Sequence, residues 1–167
     1  MGTIISSGGS KITSISSTKG FSPVTGTISQ TIGGFISVPP NTVQFDSAEE
    51  IVVRATKTGT AGTLGVAIYA NTTSDLTGTP VLIGRASVGA TSLYLQLERT
   101  LFVVNAAGTN VAPTTVATGT SDNISSTNAS EILAIDWGVQ QYIIATISNG
   151  SAGDSTILNG ITLKLFP

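Results

Sequence analysis

Glu50-Ile51-Val52-Val53-Arg54-Ala55-Thr56-Lys57, then Thr58-Gly59-Thr60-Ala61-Gly62, then Leu64-Gly65-Val66-Ala67-Ile68-Tyr69-Ala70, is the stretch that decides the fold. In the first segment Ile51, Val53 and Ala55 alternate with Val52, Arg54 and Thr56, a period of two that builds one apolar face on an extended strand. Leu64, Val66 and Ile68 repeat the pattern, and the Gly/Thr cluster between the segments predicts a hairpin turn. The same glycines lack the Gly-Lys-Ser/Thr ending and the following helix of a phosphate loop.

Working outward, the polar run from Asn71 to Pro80 connects to a strand over Val81–Ser87, and Val88-Gly89-Ala90 turns into a long strand over Ser92–Val104. Leu93, Leu95 and Leu97 share a face there, and the apolar run Leu101–Val104 beyond Arg99-Thr100 predicts a bulge near Arg99. Residues 105–130 read as a long polar loop. Ile132–Trp137, Val139–Ser148 and Thr156–Phe166 complete at least seven strands joined by short connections, which implies antiparallel pairing. No helical period persists; Asp46–Glu50 has room for one turn. The expected fold is all-β, an antiparallel jelly-roll-like β-sandwich over 41–167. Paired Cys around a Trp, the immunoglobulin hallmark, are absent.

Residues 1–40 read differently: isolated apolar residues among Ser, Thr and Gly, closing at Pro39-Pro40. That composition is unsuited to a helix and predicts an extended N-terminal arm, either a loose tail or a device that adds strand to a neighbour. Its apolar residues, Ile4, Ile5, Ile12, Ile15, Phe21, Val24, Ile28, Ile32 and Phe35, are the candidate assembly contacts.

Only 10% of the 167 residues are charged, against roughly 25% in an ordinary soluble domain. Mean hydropathy is +0.35, yet no stretch approaches the roughly 20 apolar residues of a membrane span, and no membrane partner is expected. A surface so poor in charge favours assembly with partners. The net charge of -2 and seven scattered basic residues give no electrostatic drive toward nucleic acid. The N-terminus lacks the basic and apolar regions of a signal peptide.

Chemistry is sparse. The chain has no His and no Cys, which removes the commonest general base, thiol nucleophiles and the usual zinc ligands. Ser16-Ser17-Thr18-Lys19 offers a serine–lysine spacing, in the arm and not on a helix. Glu131 and Asp136 lie five apart on a predicted strand and face opposite ways. Asp46, Glu49 and Glu50 form the one acidic cluster, with two readings: oxygen ligands for calcium, or a solvated edge that discourages strand pairing. Trp137, within Ile-Asp-Trp-Gly-Val, is expected in the core. No enzyme activity and no cofactor are implied.

Ile135-Asp136-Trp137-Gly138-Val139-Gln140-Gln141-Tyr142-Ile143-Ile144, the turn Gly153-Asp154-Ser155-Thr156 and the final strand resemble the ending of small jelly-roll proteins of tailed bacteriophages. Val52–Leu64, Ile68–Thr72 and Arg99-Thr100-Leu101 look like the same group, so the resemblance covers about 50–167. It implies a virion structural protein, most readily a capsid cement or decoration subunit. Such a subunit would be a homotrimer held to the major capsid protein or another virion protein through the arm. The alternative is a receptor- or carbohydrate-binding module of a phage fibre or tail accessory protein.

Overall fold

Alternation of β-branched and polar residues becomes, among the described residues of the computed structural model, strands joined by turns and loops. The structure describes residues 3–5, 14–18, 20–44, 47–105, 109–113 and 130–166. Twelve strands occur among them: β1 (Thr3–Ile5), β2 (Ser14–Ser17), β3 (Val24–Thr25), β4 (Ile28–Val38), β5 (Ala48–Thr58), β6 (Leu64–Asn71), β7 (Val81–Val88), β8 (Tyr94–Asn105), β9 (Thr109–Pro113), β10 (Ser130–Leu133), β11 (Gln141–Asn149) and β12 (Ser155–Phe166). They pair antiparallel in two sheets. The larger has the order β1-β2-β12-β5-β8-β9-β10 with β3 beside β12, and the smaller has β4-β11-β6-β7. The protein is an all-β, jelly-roll-like sandwich.

The alternating side chains of the facing strands make one core. The larger sheet supplies Ile51, Val53, Ala55, Leu95, Leu97, Leu101, Leu163 and Leu165. The smaller supplies Ile36, Val38, Leu64, Val66, Ile68, Ile143, Ala145 and Ile147. A register shift at Asn159, between Leu158 and Gly160, brings Leu158 and Ile161 to the same inner face although they are three apart.

Several expectations change. Thr58–Gly62 is not a hairpin: β5 pairs with β12 and β8, β6 pairs with β11 and β7, so the turn carries the chain from one sheet to the other. The bulge near Arg99 is absent as well. The β5–β8 register runs unbroken through Ile51↔Arg99, and Arg99 itself occupies the inward position between Leu97 and Leu101, 4% exposed. The region 105–130 contains strand at both ends, because β9 pairs with β8 and β10 with β9; residues 114–129 lie outside the described residues. The boundary at residue 40 does not separate a body from a free arm. β2 and β3 hydrogen-bond to β12, and β4 runs the length of β11. Residues 14–17, 24–25 and 28–38 are extended, and these strands pair within the chain's own two sheets.

One end of the sandwich is tied by a single ammonium group. Three sheet-to-sheet crossings lie there: β5 to β6, β7 to β8, and β11 to β12. Lys57, at the inward end of β5 and 3% exposed, donates to the Gly62 carbonyl in the first crossing and to the Ala90 carbonyl in the second, at 2.6 Å. It also reaches the Asp154 carboxylate in the third, at 3.3 Å. Asp154 accepts the Gly62 amide at 2.8 Å and the Ala61 amide at 3.4 Å. The Gly62 amide, followed by Lys57 and the Ala61 amide, holds this carboxyl below the usual carboxylate range against the opposing effect of burial. Gly59 is required beside it: φ is +89°, and a Cβ there would stand 2.1 Å from Asp154 Oδ1. At the opposite end Trp137, 1% exposed, donates to Asn110 Oδ1 at 2.7 Å, as its expected core position requires. Asn110 in turn donates to the Leu133 and Ile135 carbonyls.

The inward row of β5 begins with an acid. Glu49 is 0% exposed, lies between Leu101 and Leu165 on the neighbouring strands, and neither carboxyl oxygen has a hydrogen-bond partner among the described residues. It is therefore not a solvated edge. Burial pushes its pKa up to about 8, so the group is protonated at neutral pH.

Two outcomes follow from these ends. Lys57→Met should cost at least about 3 kcal/mol in urea unfolding, because it leaves a buried carboxylate and two carbonyls without their cation. For Glu49 the folded pKa lies above the unfolded one, so its penalty is absent below about 4.5, grows as pH rises, and levels off above about 8. Glu49→Leu should raise stability at pH 7 by roughly 3 kcal/mol and remove that downward slope in melts at pH 5, 7 and 9. An unchanged slope would assign the titration to another group.

Candidate functional site

β6 presents different faces to its two sides. Inward are Leu64, Val66, Ile68 and Ala70, all buried; outward are Gly65, Ala67 and Tyr69. The outward neighbours across the sheet are larger: Arg85 and Ser87 on β7 oppose Ala67 and Gly65, and Thr146 and Ser148 on β11 oppose them from the other side. Small residues on one strand between longer ones on its neighbours sink a trough along β6. Its volume is about 260 Å³, and Ser29 and Gln30 of β4 complete its wall.

Gly65 faces outward, and the Ser148 hydroxyl lies over it. A Cβ on Gly65 would stand 2.3 Å from the Ser148 hydroxyl and 3.8 Å from the Ala86 carbonyl. Gln30 braces the far wall, donating to Tyr69 Oη at 2.9 Å and to Thr146 Oγ1 at 3.2 Å. Thr146 passes the contact to the Ala67 carbonyl at 3.4 Å. Tyr69 stands at one end of the trough, and its backbone partner on β11, Ile144, pairs on its other side with Phe35. The Phe35 ring meets Tyr142 edge-on, with centroids 5.6 Å apart and planes at 81°. The trough thus offers hydroxyl and amide groups along its length and an aromatic cluster beyond one end. No carboxylate lines it.

Arg85 supplies the charge. Of the described basic residues, Arg54 donates to Gln96, Lys57 to Asp154 and Lys164 to Glu50, and Arg99 is engaged. Arg85, exposed on β7, has no ion pair or hydrogen bond among the described residues.

The candidate assembly residues separate into three groups. Ile15 is 3% exposed in the core, and Phe21 and Val24 pack on it. Phe21 lies so close to β4 that a Cβ on Gly34 would meet its ring at 2.1 Å. Ile28 is half-buried in β4, whereas Ile32 and Phe35 on the same strand are exposed at 36% and 43%. Ile4 and Ile5 lie in β1, which pairs with β2, and Ile12 lies outside the described residues. In the acidic cluster, Glu50 pairs with Lys164, Glu49 is buried, and Asp46 lies outside the described residues. Among the described residues no three His, Cys, Asp or Glu side chains come together to hold a metal. No helix among them is long and apolar enough to cross a membrane.

A second exposed feature crosses the larger sheet. Phe166 pairs with Ala48, Ala48 with Phe102, and both Phe102 and Ile132 with Val111. Phe166, Phe102 and Ile132 are 38%, 48% and 70% exposed, an apolar row on the outer face.

Sequence reading missed the trough residues Gln30, Tyr69, Arg85, Thr146 and Ser148. The available signal was Gly65 and Ala67, two small residues on the polar face of an otherwise bulky strand.

No family model matches the chain, and no curated protein matches it. Solved structures similar to it include a protein of Bacteroides thetaiotaomicron VPI-5482 to which sugar binding is ascribed. That match has 11% identity over 98% of this chain and 81% of that one, with a TM-score of 0.39. Another is the CBM2 module of the evolved Dit of Lactobacillus casei BL23 phage J-1, with 8% identity, 96% and 80% coverage and a TM-score of 0.39. A third is lectin I-B4 of Griffonia simplicifolia, with 11% identity, 99% and 92% coverage and a TM-score of 0.27. At these scores the likenesses carry no weight for function.

Proposed function

We propose that this chain is a non-catalytic binding module, associated with a virion, that seats a saccharide in the trough along β6. The trough itself carries the reading. It is a preformed depression on a sheet face, floored by small residues and walled by hydroxyl and amide groups that suit the alternating donors and acceptors of a sugar. Tyr69 and the Phe35–Tyr142 pair supply apolar ring faces at its end. A hydrolytic role has no support in it, since glycoside hydrolysis asks for two carboxyl groups flanking the scissile bond and the trough wall holds none. Association with a virion rests on the resemblance of residues 50–167 to jelly-roll proteins of tailed phages.

A second reading, the capsid cement or decoration subunit, draws on the apolar row of Phe166, Phe102 and Ile132, with Ile32 and Phe35 as the exposed members of the expected contact set. Exposed apolar rows of this kind suit contact with further copies, such as a trimer, or with a capsid protein. It predicts that Phe102→Ser combined with Ile132→Ser lowers occupancy on undecorated particles in a co-sedimentation assay. Unchanged occupancy would sink it.

For the trough, a glycan array followed by calorimetry on the best ligand is the test. Ala67→Leu fills the floor from an outward, half-buried position and should weaken that ligand at least 10-fold while the melting temperature stays near wild type. If Ala67→Leu unfolds the chain, Gln30→Ala on the exposed wall takes its place. Undiminished binding by either folded variant would overturn the reading.

A further inference from the structure

Building on the trough as a saccharide site, we infer that its ligand is acidic, a sugar bearing a carboxylate that Arg85 grips. Among the described residues Arg85 is the one basic side chain without an internal partner, and it stands on the wall of the trough. The other described cations are engaged within the chain: Lys57 at three crossings, Lys164 with Glu50, Arg54 with Gln96, and Arg99, which is engaged as well. In a chain with so few charges, the trough holds a guanidinium and no acid to neutralise it.

The placement suits a carboxylated ring. Arg85 opposes Ala67, and Thr146 opposes Ala67 from the far side, so the guanidinium and the hydroxyl wall flank the floor with about two strand spacings, roughly 10 Å, between their backbones. A planar guanidinium presents paired N–H donors that fit the two oxygens of a carboxylate in a bidentate fork. Ser148 and the exposed Gln30 then face the ring hydroxyls, with the Thr146 hydroxyl, 1% exposed and bonded to Gln30 and the Ala67 carbonyl, beneath them. The net charge of -2 gives acids no long-range attraction, so selectivity depends on this one local contact. Because it is exposed, the contact is weakened by salt.

The test uses the full chain and an array carrying uronate- and sialate-bearing oligosaccharides beside their methyl esters, which keep the shape and remove the charge. Acids should bind at least 10-fold more tightly than their esters, and the difference should shrink as salt is raised. Arg85→Gln should bring the acid down to the level of the ester, and Arg85→Lys should recover part of the difference. Acid and ester binding alike, with both sensitive to Ala67→Leu, would overturn the acidic ligand and leave the saccharide trough standing. Acid preference retained in Arg85→Gln would overturn the role of Arg85. Absence of any glycan binding would overturn both.

Discussion

The ammonium group of Lys57 is the constraint on which the sandwich depends. Two sheets stacked face to face need the chain to cross between them, and each crossing leaves backbone groups that no ladder satisfies. Here three crossings share one end, and Lys57 answers a carbonyl in each of two of them and the carboxylate of the third. Asp154 closes the circuit by taking amides from the first crossing. Isolated buried ion pairs seldom add stability, because desolvation offsets attraction. This one differs in that both partners are also saturated by backbone groups, so their hydrogen-bonding capacity is used inside the fold.

The contrast along β5 is instructive. Lys57 and Glu49 occupy the two ends of one inward row, with Ile51, Val53 and Ala55 between them. The lysine is fully partnered, and the acid has no hydrogen-bond partner among the described residues, so one end is held by charge and the other avoids charge by keeping its proton. A carboxylic acid retained in that state marks the end of the core where packing between Leu101 and Leu165 outweighs solvation. It also explains why the acidic cluster does not act as a unit: its described members face opposite sides of the strand, Glu50 outward toward Lys164 and Glu49 inward.

Much of this was legible from alternation. The strands over Glu50–Lys57, Leu64–Ala70 and Thr156–Phe166, their inward residues and the core Trp137 follow from a period of two and from side-chain size. What alternation leaves open is which strand pairs with which. Thr58–Gly62 has the residues of a tight turn, and a tight turn serves equally to reverse within a sheet or to cross to the other one. Charge misled at Glu49 and Arg99, where an inward position holds an ionisable group; at Arg99 the reading preferred a bulge to a buried cation. The apolar residues of 14–38 are dilute among Ser, Thr and Gly, and nothing in their spacing says that these strands pair with β11 and β12 of the same chain. The trough was hidden for a different reason. Its floor is defined by small residues, Gly65 and Ala67, and its walls come from strands distant in sequence.

The trough and the tied end are physically continuous. Gly62 and Gly150 pack backbone against backbone, with the Gly150 amide donating to the Thr63 carbonyl at 3.0 Å and a Cβ on Gly62 standing 2.3 Å from the Ser151 amide nitrogen. Two residues beyond Thr63 is Gly65, the floor, and two before Gly150 is Ser148, the wall. The β6–β11 register that sets Gly65 opposite Ser148 therefore starts at the crossings that Lys57 and Asp154 clamp. A one-residue slip there would exchange inward and outward faces along β6, burying Tyr69 and exposing Ile68. The same polar clamp that closes one end of the core thereby determines which side chains the smaller sheet offers to a ligand.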